Sequence, residues 1–91
     1  MDYRFYGKQE FIEQSMKMNR DEFNVHCINI MEYIVKVYKE DGKEMPIYKY
    51  VSAARWRVIN DCEYPGGATK EDCAEYNKIY EAVMRNDDKN K

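Results

Sequence analysis

The feature that most constrains the fold is a run of apolar residues that alternate at intervals of four and three positions. Its members are Phe23, Cys27, Ile30, Ile34 and Val37. An α-helix brings residues with this spacing onto one face, because it turns once every 3.6 residues. Four further residues widen this face on one side: His26, Met31, Val35 and Tyr38. So broad an apolar surface favours burial, and the sequence therefore predicts a central helix packed by at least two neighbours.

Signals for both ends of this helix flank the run. Asn19 and Asp21 are suited to a helix start, because their side-chain oxygens accept hydrogen bonds from free backbone N–H groups. Gly42 follows the run, and glycine readily takes the left-handed conformation that ends many helices. The sequence predicts a helix from about Asn19 to about Lys39.

Three further helices are predicted around the central one. A short helix covers residues 8–18, a third helix runs from Pro46 to about Cys62, and a last helix follows Thr69, which is a good N-cap residue. The residues predicted to be buried on these helices are Phe11, Ile12, Ser15, Met16, Ile47, Val51, Ala54, Val58, Cys62, Cys73, Tyr76, Tyr80 and Val83. The segment between the last two helices contains Pro65 and two glycines, which favour a turn.

These elements predict an all-α fold, a small antiparallel bundle of three main helices plus a short N-terminal helix. Residues 1–85 are predicted to form a single helical domain, and residues 86–91 a flexible C-terminal tail with nothing to bury. An alternative is an α+β fold with a small two-stranded element, formed by residues 3–6 and 47–51. Both segments are rich in aromatic or β-branched residues, which favour strands.

The composition restricts the class of protein. The three cysteines, Cys27, Cys62 and Cys73, are widely spaced and odd in number, which is typical of free thiols in a reducing compartment. The sequence contains no signal-peptide pattern and no apolar run long enough to cross a membrane. We therefore expect a cytoplasmic protein with no membrane partner.

No pattern in the sequence predicts a catalytic residue, a metal site or a cofactor. His26 and Cys27 are adjacent, but successive helical side chains point about 100° apart and do not form a nucleophile–base pair. The cysteines lack the close pairs of a structural zinc site. Two carboxylate pairs at one-turn spacing, Glu10 with Glu13 and Glu71 with Glu75, leave open a small helical ligand-binding or Mg²⁺-dependent nucleotide-processing domain.

The surplus of aromatic residues favours an interaction surface. Nine tyrosines, three phenylalanines and one tryptophan exceed what a small core can enclose. Tyrosine and tryptophan are common in interfaces because they give much contact area at low entropic cost. The protein-interaction candidates are Tyr3, Tyr6, Tyr48, Trp56 and Tyr64. They predict a protein partner of unknown identity, with a homodimer as one possibility.

The third helix also combines cations with aromatic residues. Its nucleic-acid-binding candidates are Lys49, Ser52, Arg55, Trp56 and Arg57. Arginine and lysine neutralise phosphates, and an exposed tryptophan stacks on a base. Against this reading, the whole chain has a net charge of −2, whereas strong nonspecific DNA binders are basic.

Taken together, these patterns favour a small non-enzymatic helical protein that binds another macromolecule. A regulator, adaptor or inhibitor of this size suits the accessory proteins of phages and mobile elements. A nucleic-acid-binding module is the first alternative, and the small ligand-binding or nucleotide-processing domain is the second.

Overall fold

The described part of the chain folds into four helices. The computed structural model describes residues 6–61 and 68–89. The helices are α1 (Lys8–Ser15), α2 (Arg20–Asp41), α3 (Ile47–Asn60) and α4 (Lys70–Lys89), and neither described stretch contains a strand. The predicted all-α fold is thus confirmed. The alternative strand at 47–51 is wrong, because these residues begin α3; its predicted partner strand at 3–6 lies outside the described residues except for Tyr6.

Helix α2 packs against two neighbours, α3 and α4, as its spacing predicts, but the central position belongs to α3, which packs against α2, α4 and α1. All five residues of the apolar run are buried: Phe23, Cys27, Ile30, Ile34 and Val37. Asn19 and Glu22 form a capping box, in which the Asn19 side chain accepts from the Glu22 N–H (2.9 Å) and the Glu22 carboxylate accepts from the Asn19 N–H (3.1 Å). Gly42 ends the helix in the left-handed conformation, with φ of 71°.

Helix α3 packs antiparallel along α2. The guanidinium of Arg20, in the first turn of α2, donates to the carbonyl oxygen of Ile59 near the end of α3 (2.7 Å). One turn further along α2, Asn24 accepts from Arg55 Nε (3.2 Å). Because residue numbers rise along α2 as they fall along α3, these two bonds fix the relative direction of the helices.

Helices α1 and α4 cover other sides of this pair. Phe11 of α1 is fully buried, and its ring packs against the rings of Phe23 on α2 and Tyr50 on α3. The Tyr50 ring also contacts the ring of Tyr76 on α4, with centroids 5.0 Å apart. The core therefore draws residues from all four helices.

Polar contacts join α1 to α4 at both ends of α1. Lys8 forms ion pairs with Asp72 (3.4 Å) and with Glu75 on α4. Beyond the other end of α1, the Asn86 side chain donates to the carbonyl oxygens of Met16 (2.9 Å) and Met18 (3.1 Å). These two bonds satisfy backbone carbonyl groups in the connection between α1 and α2.

The structure corrects several predicted boundaries. Helix α1 ends at Ser15 instead of residue 18, because the chain must be extended at Asn19 to cap α2, and Met16 is exposed. Helix α4 continues to Lys89, so residues 86–89 are helical where a tail was predicted. On α4 the prediction of Tyr80 as a buried residue is also wrong: it is half-buried, while Ile79 is buried. Cys62 lies outside the described residues.

Candidate functional site

One side of the α2–α3 pair is left open to solvent. The contacts of Arg20 and Asn24 with α3 place one strip of α2 beside α3, and this strip continues at helical spacing through Val35 and Tyr38. The facing strip of α3 contains Tyr48, Ser52 and Arg55 at the same spacing. We call this side the α2–α3 flank, formed by Val35, Tyr38, Tyr48, Lys49, Ser52, Arg55 and Trp56.

The α2–α3 flank holds most of the exposed large apolar side chains in the described part of the chain. Four of the six belong to it: Val35 (48% exposed), Tyr38 (51%), Tyr48 (37%) and Trp56 (38%). The other two, Met16 and Val25, lie apart from it and from each other. A cluster of exposed apolar side chains, unlike scattered single ones, is typical of an interaction site.

Part of the flank forms a groove. Val35 and Tyr38 on α2, Tyr48 on α3 and Glu44 in the connection between them enclose a volume of about 180 Å³. Its walls are mainly apolar, with one carboxylate at the loop. A groove of this kind accepts one apolar side chain of a partner and offers it contact on several sides.

The structure divides the predicted nucleic-acid set. Lys49, Ser52, Arg55 and Trp56 lie on the flank: Ser52 and Arg55 share the strip of Tyr48, and Lys49 and Trp56 form the adjacent, more exposed strip of α3. Arg57 lies on the opposite side, where its guanidinium stacks on the ring of Tyr80 at 4.1 Å and its Nε donates to Asn77 (3.4 Å). Arg57 therefore joins α3 to α4.

The flank differs in charge from the rest of the fold. Helix α3 carries three cationic residues and no acidic residue, whereas α1, α2 and α4 each carry more acidic than basic residues. Lys49 is exposed, and Arg55 is half-buried. Since Arg57 faces α4, the open side of α3 is a basic strip of two cations, Lys49 and Arg55, on a chain whose net charge is −2.

The structure also separates the five aromatic interaction candidates. Tyr48 and Trp56 lie on the flank, and Tyr3 and Tyr64 lie outside the described residues. Tyr6 is part of the packing of α1, because its hydroxyl is hydrogen-bonded to His26 Nε2 (2.9 Å) and its ring contacts the ring of Phe11. Tyr6 thus lies away from the flank, partly buried against α1 and α2.

Val35 and Tyr38 are the flank residues that sequence reasoning missed. The sequence predicts them on the shoulder of the buried face, but both are exposed. Val35 lies about 100° around the helix from Ile34, which faces the core, but Tyr38 lies only about 40° from it. Their exposure is therefore decided by where the neighbouring helices α3 and α4 pack on α2.

The described cysteine and histidine side chains are unsuited to nucleophilic chemistry. Burial raises the pKa of the Cys27 thiol to about 12, and burial also raises the pKa of Cys73. Both thiols are therefore protonated and weakly nucleophilic at neutral pH. Burial lowers the pKa of His26, whose ring is hydrogen-bonded to Tyr6.

The carboxylates of the described residues form no group of three or more that could hold a metal ion. Glu75, from one of the predicted acidic pairs, forms an ion pair with Lys8. Glu13, from the other pair, accepts a hydrogen bond from Gln9 Nε2 (3.3 Å). Both pairs thus contain a carboxylate with a partner within the fold.

A second cleft lies between the start of α1 and the start of α3. It encloses about 440 Å³ and is lined mainly by apolar or aromatic side chains, among them Tyr6, Met45, Ile47 and Tyr50. Lys8 is its charged lining residue, and Asp72 and Glu75 already neutralise that charge. The cleft is therefore apolar and its cation is paired, whereas the flank places the exposed Lys49 beside an apolar groove.

Comparisons with known proteins give no further information on the site. No protein-family model, no curated protein and no solved structure matches the chain. Among the described helices, none has the length and apolar character needed to cross a membrane.

Proposed function

We propose that this chain is a non-enzymatic helical protein that acts as a regulator, adaptor or inhibitor by binding another protein through its α2–α3 flank. The observation that carries this proposal is the cluster of Val35, Tyr38 and Tyr48 around one groove, with Trp56 on the same side. Exposed apolar and aromatic side chains gain free energy when a partner removes them from water.

The core does not require these side chains. Five residues of α2 fill the core from its inner face, and five residues of α3 do the same. The flank residues lie on the outer sides of the same helices and retain a third to a half of their surface. Exposed apolar side chains in one cluster lower the solubility of a protein, and a role in binding a partner explains why they are present.

The state of the thiols supports the cytoplasm as the compartment. Cys27 and Cys73 are free thiols, and both are buried in the fold. A small protein in an oxidising compartment usually depends on disulfides for stability, whereas this one is held by an apolar core from four helices. We therefore place the proposed partner in the cytoplasm.

Photo-crosslinking in cells that produce the protein tests the proposal. A photoreactive phenylalanine analogue replaces Tyr38 on the flank, and in a matched variant it replaces Glu81, which is exposed on α4. We expect protein adducts from position 38 and none of the same mass from position 81. Adding Val35→Lys to the position-38 variant should abolish them, because the lysine puts a charge into the groove wall.

Two results would count against the proposal. Adducts of equal yield from both positions would show contact without a preferred face. An absence of protein adducts from position 38, in cells where the variant folds and accumulates normally, would remove the flank as a binding surface.

A further inference from the structure

We infer that the partner presents an acidic segment that carries a large apolar side chain, the apolar group entering the groove and the acidic groups lying over α3. This inference rests on the proposed function and specifies the chemistry of the partner. It follows from two features on one side of the molecule, an apolar groove and a basic strip beside it.

The basic strip gives the charge of the partner. The strip consists of Lys49 and Arg55, since Arg57 faces α4, and α3 contains no acidic residue. Lys49 is exposed on the flank next to Tyr48, and Arg55 lies roughly 10 Å further along the helix at 1.5 Å per residue. The bond from Arg55 to Asn24 uses Nε and orients a side chain that carries five N–H donors. Arg55 points about 120° around α3 from Lys49, toward α2, so the two cations attract carboxylates at separate points of a segment that lies along α3.

The groove indicates that the partner carries an apolar side chain and in which direction the partner lies along α3. Val35, Tyr38 and Tyr48 form apolar walls, and Glu44 stands at the loop end. A carboxylate of the partner placed over the groove would meet Glu44, whereas one placed over α3 meets Lys49. The apolar anchor therefore occupies the groove, and the acidic residues follow it along α3 toward Arg55.

A nucleic acid fits this surface less well than an acidic protein segment does. The affinity of a protein for nucleic acid rises with the number of phosphates that its cations neutralise. Arg57, one of the predicted cations, is held against Tyr80 on the other side of α3 and does not add to this number. Nucleotides also lack an aliphatic side chain to fill the groove. A second copy paired through α3 would bring the same cations together, and like charges across an interface oppose association.

Synthetic helical peptides of about 16 residues provide the probe. The test peptide has leucines at one-turn spacing and glutamates on the adjacent positions, and it contains no tryptophan. One control replaces the glutamates with lysines, and a second replaces the leucines with alanines. A single-stranded and a double-stranded oligonucleotide complete the panel. Trp56, the single tryptophan of the chain and 38% exposed, reports binding by a shift of its fluorescence emission.

We expect the acidic leucine peptide to bind, and both control peptides to bind at least tenfold more weakly. Raising NaCl from about 50 mM to about 500 mM should weaken binding at least threefold, because salt screens exposed charges. Lys49→Glu should weaken it at least threefold, while the matched charge reversal Lys78→Glu on α4 should leave it unchanged.

Val35→Lys separates the two classes of partner. This substitution adds a cation and places a charge in the apolar groove. It should therefore weaken binding of the acidic peptide at least fivefold, whereas it would strengthen binding of a nucleic acid. Tighter binding of an oligonucleotide than of the acidic peptide, or no peptide binding at millimolar concentration, would overturn the inference. If protein adducts still formed from position 38 in that case, the proposed function would stand and only the acidic chemistry of the partner would fail.

Discussion

At the scale of single residues, neighbouring positions on α2 have opposite environments. Ile34 is 4% exposed and belongs to the core, whereas Val35 is 48% exposed and lines the groove. Successive side chains on a helix point about 100° apart, so one residue faces the core and the next faces the flank. This difference separates residues that stabilise the fold from residues that remain available to a partner.

Truncation of each residue to alanine tests that separation. Ile34→Ala should lower the free energy of unfolding by about 2–4 kcal/mol, because it leaves a cavity in the core. Val35→Ala should change it by less than about 0.5 kcal/mol, because the side chain is exposed. Urea unfolding followed by circular dichroism measures both values. Equal losses for the two variants would contradict the assignment of Val35 to the surface.

His26 makes stability depend on pH. Burial lowers the pKa of its imidazole below the ordinary value of 6.5, so the folded protein binds this proton less readily than the unfolded chain does. The free energy of unfolding should therefore be highest above the pKa that His26 has in the unfolded chain. It should fall as the pH is lowered through that pKa. Urea midpoints measured from about pH 7.5 to about pH 5.5 should decrease more for the natural chain than for His26→Gln. Parallel decreases for the two proteins would show that His26 is not the source.

At the scale of helices, the ends of α2 are determined by local chemistry that the sequence displays. Asn19 and Glu22 form both bonds of the capping box, and Gly42 takes the left-handed conformation without strain. These signals act within a few residues, and the sequence accordingly predicts the start of α2 correctly and its end to within two residues.

The cap of α2 should contribute measurable stability. Asn19→Ala removes the side-chain acceptor of the Glu22 N–H and should cost about 1 kcal/mol of unfolding free energy. Asn29→Ala is the matched control, since Asn29 is exposed within the same helix and alanine is a better helix former. Urea titration compares the two variants. A loss as large for Asn29→Ala as for Asn19→Ala would argue against a specific capping effect.

The ends of α1 and α4 depend on contacts between helices, and for this reason the sequence misplaces them. Asn86 bonds to Met16 and Met18, which are about 70 positions away in the chain. No pattern within a window of one helix contains this information. The same limitation applies to residues 47–51, whose β-branched and aromatic composition permits a strand until packing on α2 and α4 selects a helix.

The bonds of Asn86 should stabilise the docking of α1. Asn86→Ala leaves two backbone carbonyls without this donor and should lower the free energy of unfolding by about 1–2 kcal/mol. Glu81→Ala, an exposed substitution on the same helix, should cost less than about 0.5 kcal/mol. Amide hydrogen exchange should also become faster in α1 of the Asn86→Ala protein. Unchanged exchange in α1 would show that these bonds do not hold the helix.

At the scale of the whole molecule, the sequence predicts the bundle and part of the candidate site. The three-and-four spacing identifies the inner face of α2, and two of the predicted interaction candidates, Tyr48 and Trp56, are exposed on the flank. The flank itself depends on how the helices pack against one another, which the sequence pattern of a single helix does not predict. Which shoulder of α2 stays open depends on where α3 and α4 pack, and Arg57 changes from a surface candidate to a contact with α4 for the same reason.

The central claim is that the α2–α3 flank is dispensable for folding and therefore free to serve binding. The most direct test is the free energy of unfolding of a triple variant, Val35→Gln, Tyr38→Gln and Tyr48→Gln, measured by urea titration. Since these side chains are exposed and glutamine is a good helix former, we predict a value within about 1 kcal/mol of the natural chain. A loss of more than about 3 kcal/mol would place these residues in the core and contradict the account.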